Sequence, residues 1–257
     1  MAETGGANRP ARCLRKFALG SGARARLVAI PHAGAAASFF APWRRVLSDR
    51  VELLAAQLPG RETRISEPPV RDFTAVVDEL AEVVGGLTDL PYVLFGHSMG
   101  ALIAFELARR LRRMQLAPPR HLFVSSCPAP HLYDTREWVG VLDDDARLLE
   151  LMGVPSQVAS NPELAQLLVD IMRADAEICA AYVHVEEAPL ECPITMCTGD
   201  EEMASWPDNL RAWSRYTTGD FGVIEMSGGH LYLADHVDEL AAAVERALLD
   251  GAGGTGE

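Results

Sequence analysis

A pentapeptide with a glycine at each end, Gly96-His-Ser-Met-Gly100, constrains the fold of this chain more than any other feature. The apolar run Tyr92–Phe95 before it predicts a buried strand, and Ala101–Leu111 after it predicts a helix with an apolar face. This is the G-x-S-x-G pattern in the strand–turn–helix context that it requires. A Cβ on either glycine would crowd the neighbouring strand or helix. The pattern therefore predicts a sharp turn that presents the hydroxyl of Ser98 as a nucleophile.

Strands and helices alternate along most of the chain. Short apolar runs predict an edge strand and five further strands at Cys13–Leu19, Ala25–Pro31, Val51–Leu58, His121–Cys127, Ile194–Thr198 and Phe221–Met226. Apolar residues at helical spacing predict helices at Phe39–Asp49, Asp72–Leu87, Asn209–Tyr216 and Val237–Leu249. This alternation predicts an α/β fold with a mostly parallel sheet and helices on both faces.

The alternation stops between the predicted strands His121–Cys127 and Ile194–Thr198, where four predicted helices follow one another. They are predicted at Trp138–Val141, Asp144–Met152, Pro162–Met172 and Ala174–Val185. Ligands of open α/β sheets bind at the carboxyl ends of the strands, so we interpret residues 129–190 as a lid over that edge. The alternative is an extra helical layer with no role in binding. The order of strands and helices along the chain predicts one domain over residues 13–249. The polar segment at 1–12 is predicted to be a disordered lead, and residues 250–257 a flexible tail.

Composition excludes several classes of function. A net charge of −13 opposes general nucleic-acid binding, which needs a basic surface. No apolar run approaches the roughly 20 residues of a membrane-spanning helix, and the polar N-terminus lacks the apolar core of a secretory signal. Five scattered cysteines argue against a disulfide framework and a structural zinc site. We therefore expect a cytoplasmic location, no membrane or nucleic-acid partner and, by default, a monomer.

A serine hydroxyl needs an adjacent base to act as a nucleophile at neutral pH. Among the seven histidines, His230 is placed best, because it follows a predicted strand and two glycines near the C-terminus. His97 lies within the pentapeptide and His32 beside a loop of small residues. We interpret these two histidines, together with Gly34 of that loop, as residues that shape the site and bind substrate.

The third member of the triad is a choice between two carboxylates. The strand Ile194–Thr198 leads into Gly199-Asp-Glu-Glu202, so the chain order is serine, acid and histidine, each just past a strand. That order is the one found in α/β-hydrolases, where a carboxylate holds the imidazole in the correct tautomer. The reach of its side chain toward the histidine and its residue type favour Asp200 slightly as the triad acid, and Glu202 stays an alternative.

Backbone amides are expected to stabilise the oxyanion. The N–H of Met99 follows the nucleophile directly, and the N–H of Ala33 lies in the small-residue loop after Ala25–Pro31, with Gly34 as the reserve choice. The tetrahedral intermediate would collapse to an acyl ester on Ser98, which water activated by His230 would hydrolyse. This chemistry requires no metal and no organic cofactor.

Four groups of residues together resemble a known family. They are Ile30-Pro-His-Ala-Gly34 with Ser38-Phe-Phe40, Pro59-Gly-Arg-Glu62, the pentapeptide around Ser98, and Gly228-Gly-His-Leu-Tyr-Leu233. The chain resembles the type II thioesterases, stand-alone α/β-hydrolases that accompany polyketide synthases and nonribosomal peptide synthetases, over roughly residues 14–248. The resemblance implies hydrolysis of acyl thioesters on the phosphopantetheine arm of acyl or peptidyl carrier proteins. It also implies an editing role and a mobile helical lid.

The resemblance bears on the acid and on the partner. The acid of the family is usually an aspartate three residues after the glycine of this turn, a position that Glu202 occupies here. Carrier proteins are acidic, so docking needs a basic patch, for which Arg109, Arg110, Arg112 and Arg113 are candidates; a solvated arginine face is the alternative. Other functions considered are a small-molecule esterase, an acyltransferase, and a non-catalytic scaffold that binds carrier protein.

Overall fold

One central sheet organises the molecule. The computed structural model describes residues 12–17, 22–151, 160–203 and 211–249. In these ranges seven strands pair in the order β1-β3-β2-β4-β5-β6-β7, and β1 alone runs antiparallel to its neighbour. The strands are β1 (Leu14–Phe17), β2 (Ala25–Ile30), β3 (Val51–Ala56), β4 (Tyr92–His97), β5 (His121–Ser125), β6 (Ile194–Gly199) and β7 (Phe221–Met226). The predicted mostly parallel sheet with an N-terminal edge strand is confirmed.

Seven α-helices accompany the sheet in the described ranges. They are α1 (Phe73–Gly85), α2 (Met99–Arg113), α3 (Arg136–Val139), α4 (Asp145–Leu151), α5 (Pro162–Ala180), α6 (Asp200–Met203) and α7 (Val237–Leu249). Side-chain caps begin two of the long ones, because Asp72 accepts hydrogen bonds from the first turn of α1 and Asn161 does so for α5. Residues 1–11 of the lead predicted at 1–12, and the whole tail at 250–257, lie outside the described residues.

Both faces of the sheet are covered by apolar layers. Strands β2, β3 and β4 have almost no exposed residue, as expected for parallel strands packed on both sides. Helices α1 and α2 cover one face through residues such as Val76, Leu80 and Leu102. Helix α7 and a 3₁₀ segment at Ala37–Arg45 cover the other, with Trp43 buried between them and the sheet.

Three predicted helices differ from the structure for identifiable reasons. The predicted α-helix at Phe39–Asp49 is a 3₁₀ segment with Pro42 inside it. The proline ring would clash with the carbonyl four residues earlier in an α-helix, which disfavours that conformation here. The two helices predicted at 162–172 and 174–185 form the single helix α5, which ends at Ala180. Polar residues in the middle of α5 interrupt the apolar spacing, which is why the sequence predicts two helices. The helix is continuous because these residues have partners elsewhere in the fold: Arg173 donates to the Leu142 carbonyl and pairs with Asp145.

The insertion between β5 and β6 adds helices α3, α4 and α5 and contributes no strand to the sheet within its described part. Of the predicted helix at residues 209–216, positions 209 and 210 lie outside the described ranges, and Ala212–Tyr216 forms a 3₁₀ turn. Among the helices that are described, none is both long and apolar enough to cross a membrane.

Candidate active site

Ser98 occupies a strained turn between β4 and α2. Its φ of 56° and ψ of −119° are unusual for a residue with a side chain. The flanking glycines allow this turn: a Cβ on Gly96 would lie 2.1 Å from the Gly100 carbonyl oxygen, and a Cβ on Gly100 would lie 2.2 Å from the Ile30 carbonyl oxygen. The start of α2 therefore packs directly against the end of β2, and the Ser98 side chain stands at the carboxyl edge of the sheet.

His230 and Glu202 form a hydrogen bond close to this turn. Nδ1 of His230 lies 2.6 Å from Oε1 of Glu202. The bond assigns the proton to Nδ1, because an ionised carboxylate only accepts, and it leaves Nε2 free to take a proton. The His230 side chain is 46% exposed and that of Glu202 is 12% exposed. The pair is thus open to a substrate on the histidine side and shielded on the carboxylate side.

Asp200 has a different partner. Its Oδ1 accepts a hydrogen bond of 2.8 Å from the Gly228 N–H, which ties the β6 turn to the loop before His230. Asp200 and Glu202 are two residues apart on the helical turn α6, so their side chains point to different sides. The geometry therefore favours Glu202 over Asp200 as the partner of His230 and reverses the preference drawn from residue type.

Ser126 is a site residue that the sequence reasoning missed. It follows β5 with a φ of 47°, and its Oγ donates to Oε2 of Glu202 at 2.5 Å. The carboxylate thus accepts from His230 on one oxygen and from Ser126 on the other. A polar residue at the carboxyl end of a central strand, next to the strand of the nucleophile, was the available signal.

The two backbone amides predicted for the oxyanion hole, those of Met99 and Ala33, have no other partner among the described residues. Met99 is the first residue of α2, so its N–H has no partner within the helix. Neither Met99 nor Ala33 has an acceptor for its N–H in the part of the chain that is described. The reserve choice, Gly34, is committed elsewhere, because its N–H donates to Oδ2 of Asp175 at 2.7 Å.

The two other predicted site histidines, His97 and His32, lie beside the site, and the ring of His97 is near the rings of both His32 and His230. His97 is fully buried, and Nδ1 lies 2.8 Å from Ser125 Oγ, so it does not reach a substrate directly and the substrate-binding role predicted for it is not supported. Burial lowers the pKa of His97 well below its usual range, which keeps its ring neutral 5.1 Å from the ring of His230. His32 is partly buried, and burial lowers its pKa as well.

A cavity of about 440 Å³ connects the site to the insertion. Ser98, Ser126, Glu202 and His230 line its floor. The insertion supplies the opposite wall through Leu132, Tyr133, Asp134, Glu137, Trp138 and Leu151. A second depression of about 350 Å³ runs along the loop after β2, lined by residues such as His32, Ala33 and Phe39, and it reaches Leu231 beside His230. The site thus has space between the nucleophile and the insertion, and a further depression lies along the loop after β2.

The arginine cluster on α2 is paired rather than free. Arg109 is buried and bonds with Glu106 and Glu187, while Arg112 and Arg113 both pair with Glu187. Arg110 pairs with Asp78 of α1. These contacts hold the segment after α5 against α2. The cluster therefore does not form the free basic patch that docking of an acidic carrier protein would need.

Comparisons with known proteins agree with this geometry. The family model described as "Thioesterase domain" matches residues 25–248. The gramicidin S biosynthesis protein GrsT of Aneurinibacillus migulanus is 36% identical over 223 residues, which cover 86% of this chain and 87% of GrsT. Thioesterase PikA5 of Streptomyces venezuelae is 36% identical over 245 residues, covering 92% and 85% of the two chains.

A solved structure extends the likeness to the fold. The type II thioesterase BorB from the borrelidin biosynthetic cluster superposes with a TM-score of 0.81 at 35% sequence identity. The match covers 91% of this chain and 97% of BorB. The likeness therefore spans most of both chains.

Proposed function

Because the chain belongs to the thioesterase family and is a thioester hydrolase, we propose that it releases acyl groups from the phosphopantetheine arm of acyl or peptidyl carrier proteins. In this role it edits aberrant or stalled intermediates of polyketide or nonribosomal peptide biosynthesis. GrsT is named for gramicidin S biosynthesis, and BorB for the borrelidin biosynthetic cluster. The observation that carries the proposal is the 2.6 Å bond between His230 and Glu202, in a cavity that the strained Ser98 also lines.

In the acylation step, Nε2 of His230 accepts the Ser98 proton as Oγ attacks the thioester carbon. The imidazolium that forms is stabilised by Glu202, whose second oxygen is held by Ser126. The N–H groups of Met99 and Ala33 stabilise the oxyanion. The C–S bond then breaks, and the proton on Nε2 passes to the departing pantetheine thiolate.

Deacylation repeats these steps with water as the nucleophile. His230 takes a proton from the water as it attacks the acyl ester on Ser98, and the same two amides stabilise the second oxyanion. The carboxylic acid leaves and the proton returns from Nε2 to the Ser98 Oγ. Side chains and amides of this chain suffice for each step, so the proposal names no cofactor.

The insertion acts in this proposal as a lid that shapes the acyl-binding space. Leu132, Trp138 and Leu151 supply apolar surface opposite the nucleophile. Asp134 and Glu137 line the same wall, so the cavity is not wholly apolar. The five buried thiols lie unpaired, which supports a reducing, cytoplasmic setting as part of the proposal.

A panel of acyl groups loaded on carrier protein tests the proposal. Hydrolysis of the thioesters is monitored through the free phosphopantetheine thiol, and hydrolysis of the matched oxygen esters through the free carboxylic acid. Ser98→Ala is the inactive control. We expect turnover of acyl-carrier thioesters and little turnover of matched oxygen esters. Preferential hydrolysis of the oxygen esters would identify a small-molecule esterase instead. Acyl products on an added alcohol or amine would identify an acyltransferase, and failure of a fluorophosphonate probe to label Ser98 would leave a non-catalytic scaffold.

A further inference from the structure

A buried carboxylate on helix α5 contacts the loop that follows β2. Asp175 is completely buried, and its Oδ2 accepts a hydrogen bond of 2.7 Å from the Gly34 N–H. Arg61, in the loop after β3, donates to both oxygens of the same carboxylate: Nη1 to Oδ2 and Nη2 to Oδ1, each at 2.7 Å. Three segments that are far apart in the sequence therefore meet at one charged group.

The peptide group between Ala33 and Gly34 is held at both of its polar atoms. Its N–H donates to Asp175, and its carbonyl oxygen lies 2.8 Å from Nδ1 of His32. Arg61 extends the restraint by one residue, because its Nη1 also donates to the Ala35 carbonyl oxygen at 2.9 Å. A peptide plane that is fixed at both ends leaves the adjoining backbone few torsions to vary. These bonds therefore restrain the backbone next to the Ala33 N–H.

Stability alone does not account for this ion pair. Arg61 is 4% exposed and Asp175 is fully buried, and a buried ion pair often stabilises a fold no more than apolar side chains of the same volume would. What an apolar pair would not supply is an acceptor for the Gly34 N–H and a donor to the Ala35 carbonyl. Gln57, also buried, adds support by donating to the Arg61 carbonyl oxygen at 3.1 Å.

We propose that Asp175, together with Arg61, is a positioning residue for the oxyanion hole. The carboxylate holds the loop after β2 so that the Ala33 N–H faces the oxyanion that forms above Ser98. Because Asp175 belongs to α5, a helix of the insertion, the insertion and the oxyanion loop are held in one arrangement. This inference rests on the proposed function, since it assigns a role within the same reaction.

The variant Asp175→Asn tests the proposal with little change in side-chain shape. The assays are hydrolysis of an acyl N-acetylcysteamine thioester and inhibition by the matching acyl trifluoromethyl ketone, which forms an oxyanion on Ser98. We expect kcat to fall about 10- to 100-fold, less than the 10²–10³ typical of losing an oxyanion donor. KM should change less than about threefold, and the inhibition constant of the ketone should rise by the same factor as kcat falls. The affinity for a non-reactive thioether analogue should not change.

The double variant Asp175→Leu/Arg61→Met removes the charge pair as a unit and keeps the side-chain volume, so it decides the question if Asp175→Asn does not fold. Glu52→Gln is the matched control, because it breaks another ion pair, between Arg26 and Glu52, away from the loop. We expect this control to lower the melting temperature without raising the ketone constant.

Two results would overturn the proposal. One is a folded Asp175 variant whose kcat and ketone inhibition match those of the wild type. The other is an equal loss of affinity for the thioether, which would indicate general damage to the site. Wild-type protein that hydrolyses no thioester would instead refute the proposed function and is distinguishable from both.

Discussion

Replacing Glu202 by glutamine separates the two candidate acids. In the structure Glu202 accepts from Nδ1 of His230 at 2.6 Å, whereas Asp200 accepts from the Gly228 amide. Glu202→Gln removes the charge that stabilises the imidazolium, and the new amide group is able to donate to Nδ1. Donation there would place the ring proton on Nε2, the atom that has to accept the serine proton.

The expected loss follows from the geometry. Two unit charges about 4 Å apart at an effective dielectric constant of about 20 interact by about 4 kcal/mol. The half-exposed ring of His230 lets water screen part of this attraction. A loss of about 3–4 kcal/mol in transition-state stabilisation corresponds to about 10²–10³ in rate. An unfavourable tautomer raises the upper limit to about 10⁴. We therefore expect kcat to fall about 10³-fold.

The assay is thiol release from an acyl thioester, with kcat and KM measured separately. Asp200→Asn is the matched control, because an asparagine Oδ1 still accepts from the Gly228 N–H, and we expect it to lose less than about threefold. The reasoning would be refuted by the opposite pattern, in which Asp200→Asn loses orders of magnitude and Glu202→Gln retains most of its turnover.

Two further predictions address the supports of the site, and a third addresses the pH dependence of stability. Ser126→Ala should lower kcat about 3- to 10-fold, because Glu202 loses one charge-assisted hydrogen bond. Ser126→Gly, in which glycine tolerates the φ of 47°, should lose the same activity. A wild-type kcat in either variant would contradict the role of the hydroxyl. Gly100→Ala should destabilise the fold by about 3 kcal/mol, which lowers the melting temperature by about 6–12 °C, because the Cβ of the new alanine meets the Ile30 carbonyl oxygen. An unchanged melting curve would show that the turn relaxes without cost. Burial lowers the pKa of His121 to about 4, below its usual 6.5. Between these two pH values the unfolded chain binds a proton that the folded chain excludes, so the stability present above pH 6.5 is lost as the pH falls toward 4. In urea titrations at pH 7, 6 and 5, His121→Gln should therefore lose stability less steeply than the wild type, and an equal loss in both proteins would contradict this.

The fold and the position of the nucleophile were predictable from the sequence because both depend on local patterns. Apolar runs bounded by turns predict the parallel strands, and two glycines around Ser98 predict the turn. Helix boundaries were less accurate where a local pattern was broken by a residue with a distant partner. Arg173 interrupts the apolar spacing of α5, yet the helix continues because that arginine bonds to the Leu142 carbonyl.

The partner of His230 could not be derived in the same way. Asp200 and Glu202 have the same chemistry and stand two positions apart, so composition and spacing do not separate them. Their different directions on one helical turn separate them, together with the competing donors Gly228 and Ser126. The sequence narrowed the acid to a short segment, and the three-dimensional arrangement of donors favours one residue within it.

What the sequence by itself determined is the chemistry available to this chain: a serine on a strained turn, a late histidine and the class of sheet that presents them. Tertiary structure alone decided which polar groups meet. Asp175 lies 141 residues from Gly34 and 114 from Arg61, yet all three share one buried contact. The reason is physical: periodicity and turn chemistry act over a few residues, whereas a buried charge is satisfied by whatever donors the packed elements bring to it.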